Sequence, residues 1–190
     1  MVGSPRKNGR TNQLVTAALR GAAAAGADTR VIYLADYAIK PFLGSGGSQE
    51  AFGTSPKELS QLCGEADALV LGAPVYWGDI NGLTKDFMDS VRINNSNGKP
   101  ALGFAIAGGS GKGLISGVQS IYHWFYHRQM RAIDPCPVSR FNLQSALNSL
   151  RASGERLVEL GWLNPWQIKQ LQEGRTKFNL GPYWIIDSIG

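Results

Sequence analysis

Ala68-Leu69-Val70-Leu71, an unbroken apolar run closed by Asp67 on one side and Gly72 on the other, constrains the fold more than any other stretch of the chain. A strand with one wet face alternates polar and apolar residues, whereas a continuous run belongs to a strand covered on both faces, as in a parallel sheet with helices above and below. The rest of the pattern agrees with that reading. Helical signals cover residues 14–25, a segment ending at 59–63 after the Ser55-Pro56 start signal, 83–91 with Leu83, Phe87 and Val91 on one side, 114–130 and 146–160. Between them lie short apolar runs at 31–34, 101–107 and 133–138, the last interrupted by Pro135 and Pro137 as suits a sheet edge. Strands alternating with helices predict an α/β doubly wound sheet.

The chain has 190 residues, 43% hydrophobic and 17% charged, which suits one domain with a real core. Residues 1–160 are expected to form that domain. Residues 161–190 fit the core pattern poorly: Asn164-Pro165-Trp166, Gly174 and Gly181-Pro182-Tyr183-Trp184 punctuate them, and Trp162, Trp166 and Trp184 need burial. They are expected to form an extension that reaches a second subunit in a homodimer or homotetramer. The net charge is +5, but the basic residues are scattered and no nucleic-acid-binding signature is present, so no nucleic acid partner is expected. No run of 18 apolar residues and no export leader occurs, so the expectation is a cytoplasmic protein with no membrane span. Cys63 and Cys136 stand far apart with no C-x-x-C pair, which argues against a disulfide framework or structural zinc.

In such sheets ligands bind beyond the carboxyl ends of the strands. Three unusual loops fall there. The first is Gly3-Ser4-Pro5-Arg6-Lys7-Asn8-Gly9-Arg10-Thr11-Asn12, running into the Ala-rich helix. Gly and Pro allow a tight turn, Ser, Asn and Thr supply short polar groups, and Arg6, Lys7 and Arg10 add positive charge. The helix begins near Thr11, so its first N–H groups, unpartnered within the helix, point back into the loop and suit a phosphate. A polar N-capped surface turn would have a similar composition. The second loop is Pro74-Val75-Tyr76-Trp77-Gly78, an aromatic and backbone wall for a planar ring. The third is Gly108-Gly109-Ser110-Gly111-Lys112-Gly113, whose glycines let backbone approach closely. One phosphate site and two flat walls describe a mononucleotide with a large planar head.

At these residues the chain resembles the flavodoxin-like NAD(P)H-dependent FMN reductases, and especially the branch containing the iron-sulfur flavoproteins. The resemblance is carried by the Gly3–Gly9 loop with Thr11, by Ala66-Asp67 leading through the strand into Ala73-Pro74-Val75-Tyr76-Trp77-Gly78, and by Lys85, Phe87 and Asp89 in the next helix. It implies strand order 2-1-3-4-5. It further implies FMN, with Ser4, Arg6, Asn8, Arg10 and Thr11 around the phosphate and Pro74 to Gly78 with Gly108 and Gly109 against the ring. The implied activity is an oxidoreductase passing hydride from NAD(P)H through the flavin N5 to a small-molecule electron acceptor, a flavin, quinone or similar. No catalytic side chain and no metal ligand is expected. NADH and NADPH are not distinguished.

The chain departs from that pattern twice. The iron-sulfur branch carries its cluster cysteines between the second strand and the following helix, and residues 41–53 here contain none, so no iron-sulfur cluster is expected. Only Met1-Val2 precede Gly3, so the first strand is expected to be truncated, with a start placed late as the explanation. Other motifs fail on inspection. Residues 106–113 resemble a nucleotide-triphosphate loop but have Ile106 and Gly113 where Gly and Ser or Thr are required. His123 and His127 lie four apart without a catalytic Glu and are expected in packing or at a dimer surface. Two further readings keep the flavin without the enzyme: a flavodoxin-type electron carrier, or an assembly protein. Carriers of that type present an acidic docking face, which a basic chain lacks.

Overall fold

The computed structural model describes residues 1–42, 44, 54–109 and 111–161. The apolar run opens β1, Leu69–Tyr76, whose first six residues are all buried. It pairs in parallel with β3, Pro100–Ile106, which pairs in parallel with β4, Arg131–Val138. A two-residue β2, Asp79–Ile80, folds back antiparallel on the end of β1. The sheet order is β2-β1-β3-β4, leaving β4 at an edge, where its two prolines cost no ladder bond.

The first two strands of the expected 2-1-3-4-5 order are reduced to single rungs, but they occupy the expected places. Val2 bridges Tyr33 on one side and Gly72 of β1 on the other, both in parallel. The Val2 N–H donates to the Ile32 carbonyl at 2.8 Å, and the Gly3 N–H to the Gly72 carbonyl at 2.8 Å. The strand expected at 31–34 is therefore corrected: a single rung does not hold an extended segment, and a 3-10 turn, Leu34–Asp36, begins at once.

Helices cover both faces. On one lie α1, Arg10–Ala24, and α5, Leu143–Gly161, sharing a core of Leu14, Val15, Ala18, Val70, Phe104 and Leu150. On the other lie α2, Thr54–Glu65, α3, Gly82–Ser90, and α4, Leu114–His127, around Leu59, Leu71, Phe87, Ile121 and Phe125. Alternate residues of β1 serve the two cores, which is why its sequence shows no polar face. Gly26 at φ +93 closes α1, with the Ala27 N–H reaching the Ala22 carbonyl at 3.0 Å. The expectation of a loop at 74–78 is also corrected. β1 continues through Tyr76, and only Trp77 and Gly78, both at positive φ (53° and 101°), form the hairpin turn into β2. The extension expected after residue 160 lies outside the described residues except for Gly161, which ends α5.

Candidate functional site

The parallel register places the ends of the Val2 rung, β1 and β3 along one edge of the sheet, and the three loops singled out in the sequence all emerge there. Gly3 is where the first of them is anchored. Its carbonyl accepts from Asn81 Nδ2 at 2.9 Å, and the Thr84 hydroxyl lies 3.2 Å away while also bonding Asn81 Oδ1 at 2.7 Å. Asn81 and Thr84 are buried, at 4% and 0% exposure. No room remains for a side chain at Gly3, since a Cβ there would stand 2.1 Å from Thr84 Oγ1.

Beyond Gly3 the chain turns on itself. The buried Ser4 accepts the Arg6 N–H on its Oγ at 3.1 Å, and the Gly9 N–H returns to the Arg6 carbonyl at 3.3 Å. Gly9 is the N-cap of α1, with no capping side chain, and no acidic residue occupies the first turn. Within the described residues the N–H groups of Lys7, Asn8, Arg10 and Thr11 take no hydrogen bond, and neither does the hydroxyl of Thr11, a residue only 3% exposed. Such a set of free donors at a helix start fits a phosphate dianion. Arg6, Asn8 and Arg10 are exposed around it. Lys7 is turned away: it pairs with Asp36 and lies 5.5 Å from the Tyr33 ring, tying the loop to the neighbouring segment.

The second wall is the end of β1 and its hairpin. Pro74 is buried in register with Ile106, and its carbonyl accepts the Asn81 N–H at 3.0 Å. Asn81 therefore holds the Gly3–Gly9 loop with its side chain and the end of β1 with its backbone. Val75 is half-buried, Tyr76 is 46% exposed, and Trp77 stands fully in solvent. Gly78 and Gly109 are exposed at positive φ, with N–H groups free of hydrogen bonds within the described residues. The glycine loop reaches the hairpin at Gly113, where a Cβ would come within 2.5 Å of the Gly78 backbone. Gly108 and Gly109 are exposed at the end of β3. Asp79, at the hairpin, accepts from the Ile80 N–H at 2.7 Å and from Ser120 Oγ at 2.9 Å, a structural role.

Of the twelve residues singled out as a binding set, Arg10 and Thr11 open α1 and the other ten lie on loops or at the end of β1, all beyond the carboxyl ends of the strands, and Asn81 and Thr84 join them. Their signal in the sequence was slight: an Asn before a helix reads as an N-cap, yet here its side chain reaches Gly3 instead. His123 and His127 are both exposed on α4, so core packing is not their role. Among the described residues no three His, Cys, Asp or Glu side chains are placed to hold a metal ion. No described helix is long and apolar enough to cross a membrane.

Residues 1–141 match the family model described as NADPH-dependent FMN reductase. An iron-sulfur flavoprotein of Methanocaldococcus jannaschii is 33% identical over 141 residues, covering 67% of this chain and 70% of that protein. Among solved structures, a flavoenzyme NAD(P)H:(acceptor) oxidoreductase from Paracoccus denitrificans aligns with TM-score 0.65 at 16% identity, over 85% of this chain and 94% of its own. An NAD(P)H:quinone oxidoreductase from Methanothermobacter marburgensis aligns with TM-score 0.63 at 19% identity, over 81% and 92%.

Proposed function

The chain belongs to the NADPH-dependent FMN reductase family, so it is an FMN-dependent oxidoreductase, and from that premise we propose how its residues divide the work. The free N–H groups of Lys7, Asn8, Arg10 and Thr11 hold the FMN phosphate, with Ser4, Asn8 and Thr11 contributing side-chain bonds and Arg6 and Arg10 contributing charge. Pro74 through Gly78 and Gly108-Gly109 face the ring. Bound there, FMN would supply two-electron chemistry between NAD(P)H and a small acceptor, a flavin, a quinone or similar. The Gly78 and Gly109 N–H groups stabilise negative charge at the ring edge, and no side chain of the site transfers a proton. The carrying observation is the uncapped start of α1, its donors unsatisfied, fastened through Gly3 and Asn81 to the wall that faces the ring.

The pocket works without an iron-sulfur cluster. Two features support this reading: the chain has two cysteines, and Cys63 belongs to the core beneath α2 whereas Cys136 belongs to the one on the opposite face of the sheet. Iron and acid-labile sulfide in stoichiometric amounts would contradict it. The oligomer is a homodimer or homotetramer, which light scattering tests.

Arg6→Ala is the sharpest probe of the phosphate assignment. Losing a charge-assisted bond to a dianion costs about 1.5–3 kcal/mol, a ten- to hundredfold weaker FMN affinity, with the melting temperature of the FMN-free protein unchanged because Arg6 is exposed. Fluorescence titration of FMN reads the outcome, and unchanged affinity would refute the assignment.

A further inference from the structure

The carboxyl edge of the sheet carries one loop more than the proposed flavin site uses. Pro74, Ile106 and Val138 stand in register across β1, β3 and β4, and the Ala107 N–H donates to the Val138 carbonyl at 2.9 Å, so the turn from Ser139 to Asn142 leaves the sheet beside the glycine loop. The two loops touch, since a Cβ on Gly111 would lie 4.0 Å from Ser139 Cβ. Two strand spacings, roughly 10 Å, separate this turn from the end of β1. The turn holds itself: the Phe141 N–H donates to Ser139 Oγ at 3.1 Å, the Ser139 N–H to Asn142 Oδ1 at 2.6 Å, and Asn142 Nδ2 to the Pro137 carbonyl at 3.1 Å. Arg140 and Phe141 are left exposed at its tip. Arg140 Cζ lies 4.6 Å from the Phe141 ring centroid and the residue is 76% exposed, so the guanidinium covers one face of the ring and the other is open. Among the described residues Arg140 makes no hydrogen bond or ion pair. Lys112 is exposed in the neighbouring loop, and neither residues 101–133 nor residues 135–154 contain Asp or Glu. A lone exposed Phe is ordinary surface, but one backed by a free guanidinium in an acid-free stretch suits a planar anion.

We propose that the Ser139–Asn142 turn is the subsite for the adenosine 2′-phosphate end of NADPH, with adenine on the open face of Phe141 and the 2′-phosphate on Arg140. The inference rests on the FMN and NAD(P)H reading above. With the nicotinamide against the ring, the adenosine is the far end of the dinucleotide, and the turn after β4 is the next surface along the same edge. The guanidinium selects the group that sits there. The 2′-phosphate is an anion adjacent to the adenine, and a planar fork of donors beside an aromatic ring meets both at once. NADH has a hydroxyl at that position and leaves Arg140 without its anion, so this turn discriminates between the two nucleotides.

Calorimetric titration of the FMN-loaded chain with adenosine 2′,5′-bisphosphate and with adenosine 5′-monophosphate tests this without turnover. The bisphosphate is expected to bind about tenfold or more tighter, Arg140→Ala to erase that difference, and Phe141→Leu to weaken both nucleotides severalfold. In steady-state kinetics Arg140→Ala is expected to lower the preference for NADPH over NADH, as the ratio of their kcat/KM values, by a similar factor. FMN affinity stays at the parent's value in both variants, which separates this subsite from the Arg6 site. Equal binding of the two nucleotides by the parent, or a difference that survives Arg140→Ala, would overturn the proposal. A parent that binds the bisphosphate through Arg140, yet whose flavin NADPH does not bleach, would count against the redox reading and leave the subsite standing.

Discussion

Gly3→Ala is expected to strip FMN from the purified protein and to lower its melting temperature by roughly 10 °C. The added Cβ would lie 2.1 Å from Thr84 Oγ1, 3.2 Å from Thr84 Cβ and 2.9 Å from the Gly72 carbonyl oxygen. None of these is the free end of a flexible side chain. Thr84 is β-branched, fully buried and engaged with Asn81, and the Gly72 carbonyl is bonded to the Gly3 N–H itself. Relief requires the loop to move away from β1 or α3 to move outward, at a cost of about 3 kcal/mol. Either movement breaks the Asn81–Gly3 bond that joins the two walls of the site, so stability and FMN retention fall together. The double variant Gly3→Ala with Thr84→Ala removes the clash with Oγ1 and leaves the close approaches to the residue 84 Cβ and the Gly72 carbonyl, so part of the lost melting temperature returns. Visible absorbance of the purified variants and thermal melts read both effects. A Gly3→Ala protein that is as yellow and as stable as the parent would contradict this account of the anchor.

The second large effect is purely structural. Gly154→Ala or Gly21→Ala is expected to destabilise the fold by about 3 kcal/mol or more, because α1 and α5 meet backbone to backbone. A Cβ on Gly154 would stand 1.9 Å from the Ala18 carbonyl oxygen, and one on Gly21 would stand 1.8 Å from that of Arg151. A helix cannot yield at a carbonyl without shifting as a whole, so the two helices must separate and the core of Leu14, Ala18, Leu150 and Leu157 loosens with them. Gly21 lies eleven residues beyond Arg10, roughly 16 Å along the helix axis. Well below the melting temperature these variants should therefore bind FMN as the parent does. Loss of affinity without loss of stability would show that the α1–α5 packing sets the phosphate loop directly.

Local features of the fold were legible in the sequence and contacts between distant residues were not. Ala68–Leu71 announced a strand covered on both faces because burial on both sides leaves a local mark, and the turn formers from Gly3 to Asn12 announced a loop running into a helix start because the two stand side by side. Asn81 and Thr84 left no such mark. Their contact with Gly3 spans about eighty residues, and an Asn ahead of a helix has a commoner local explanation. The hairpin at Trp77-Gly78 was hidden for a related reason: a two-residue turn with both φ positive favours Asn-Gly or Asp-Gly, so Trp-Gly after Pro74 reads as an open loop. Residues 31–34 have strand composition but only one rung to pair with, and pairing rather than propensity decides a strand.

The most direct test of the central claim compares FMN with riboflavin, which has the same ring and no phosphate, in fluorescence titrations of the purified chain. If backbone donors at the start of α1 hold the phosphate, FMN binds one per chain and riboflavin binds about a hundredfold more weakly or worse. Equal affinity for the two, or a protein that takes up neither, would contradict it.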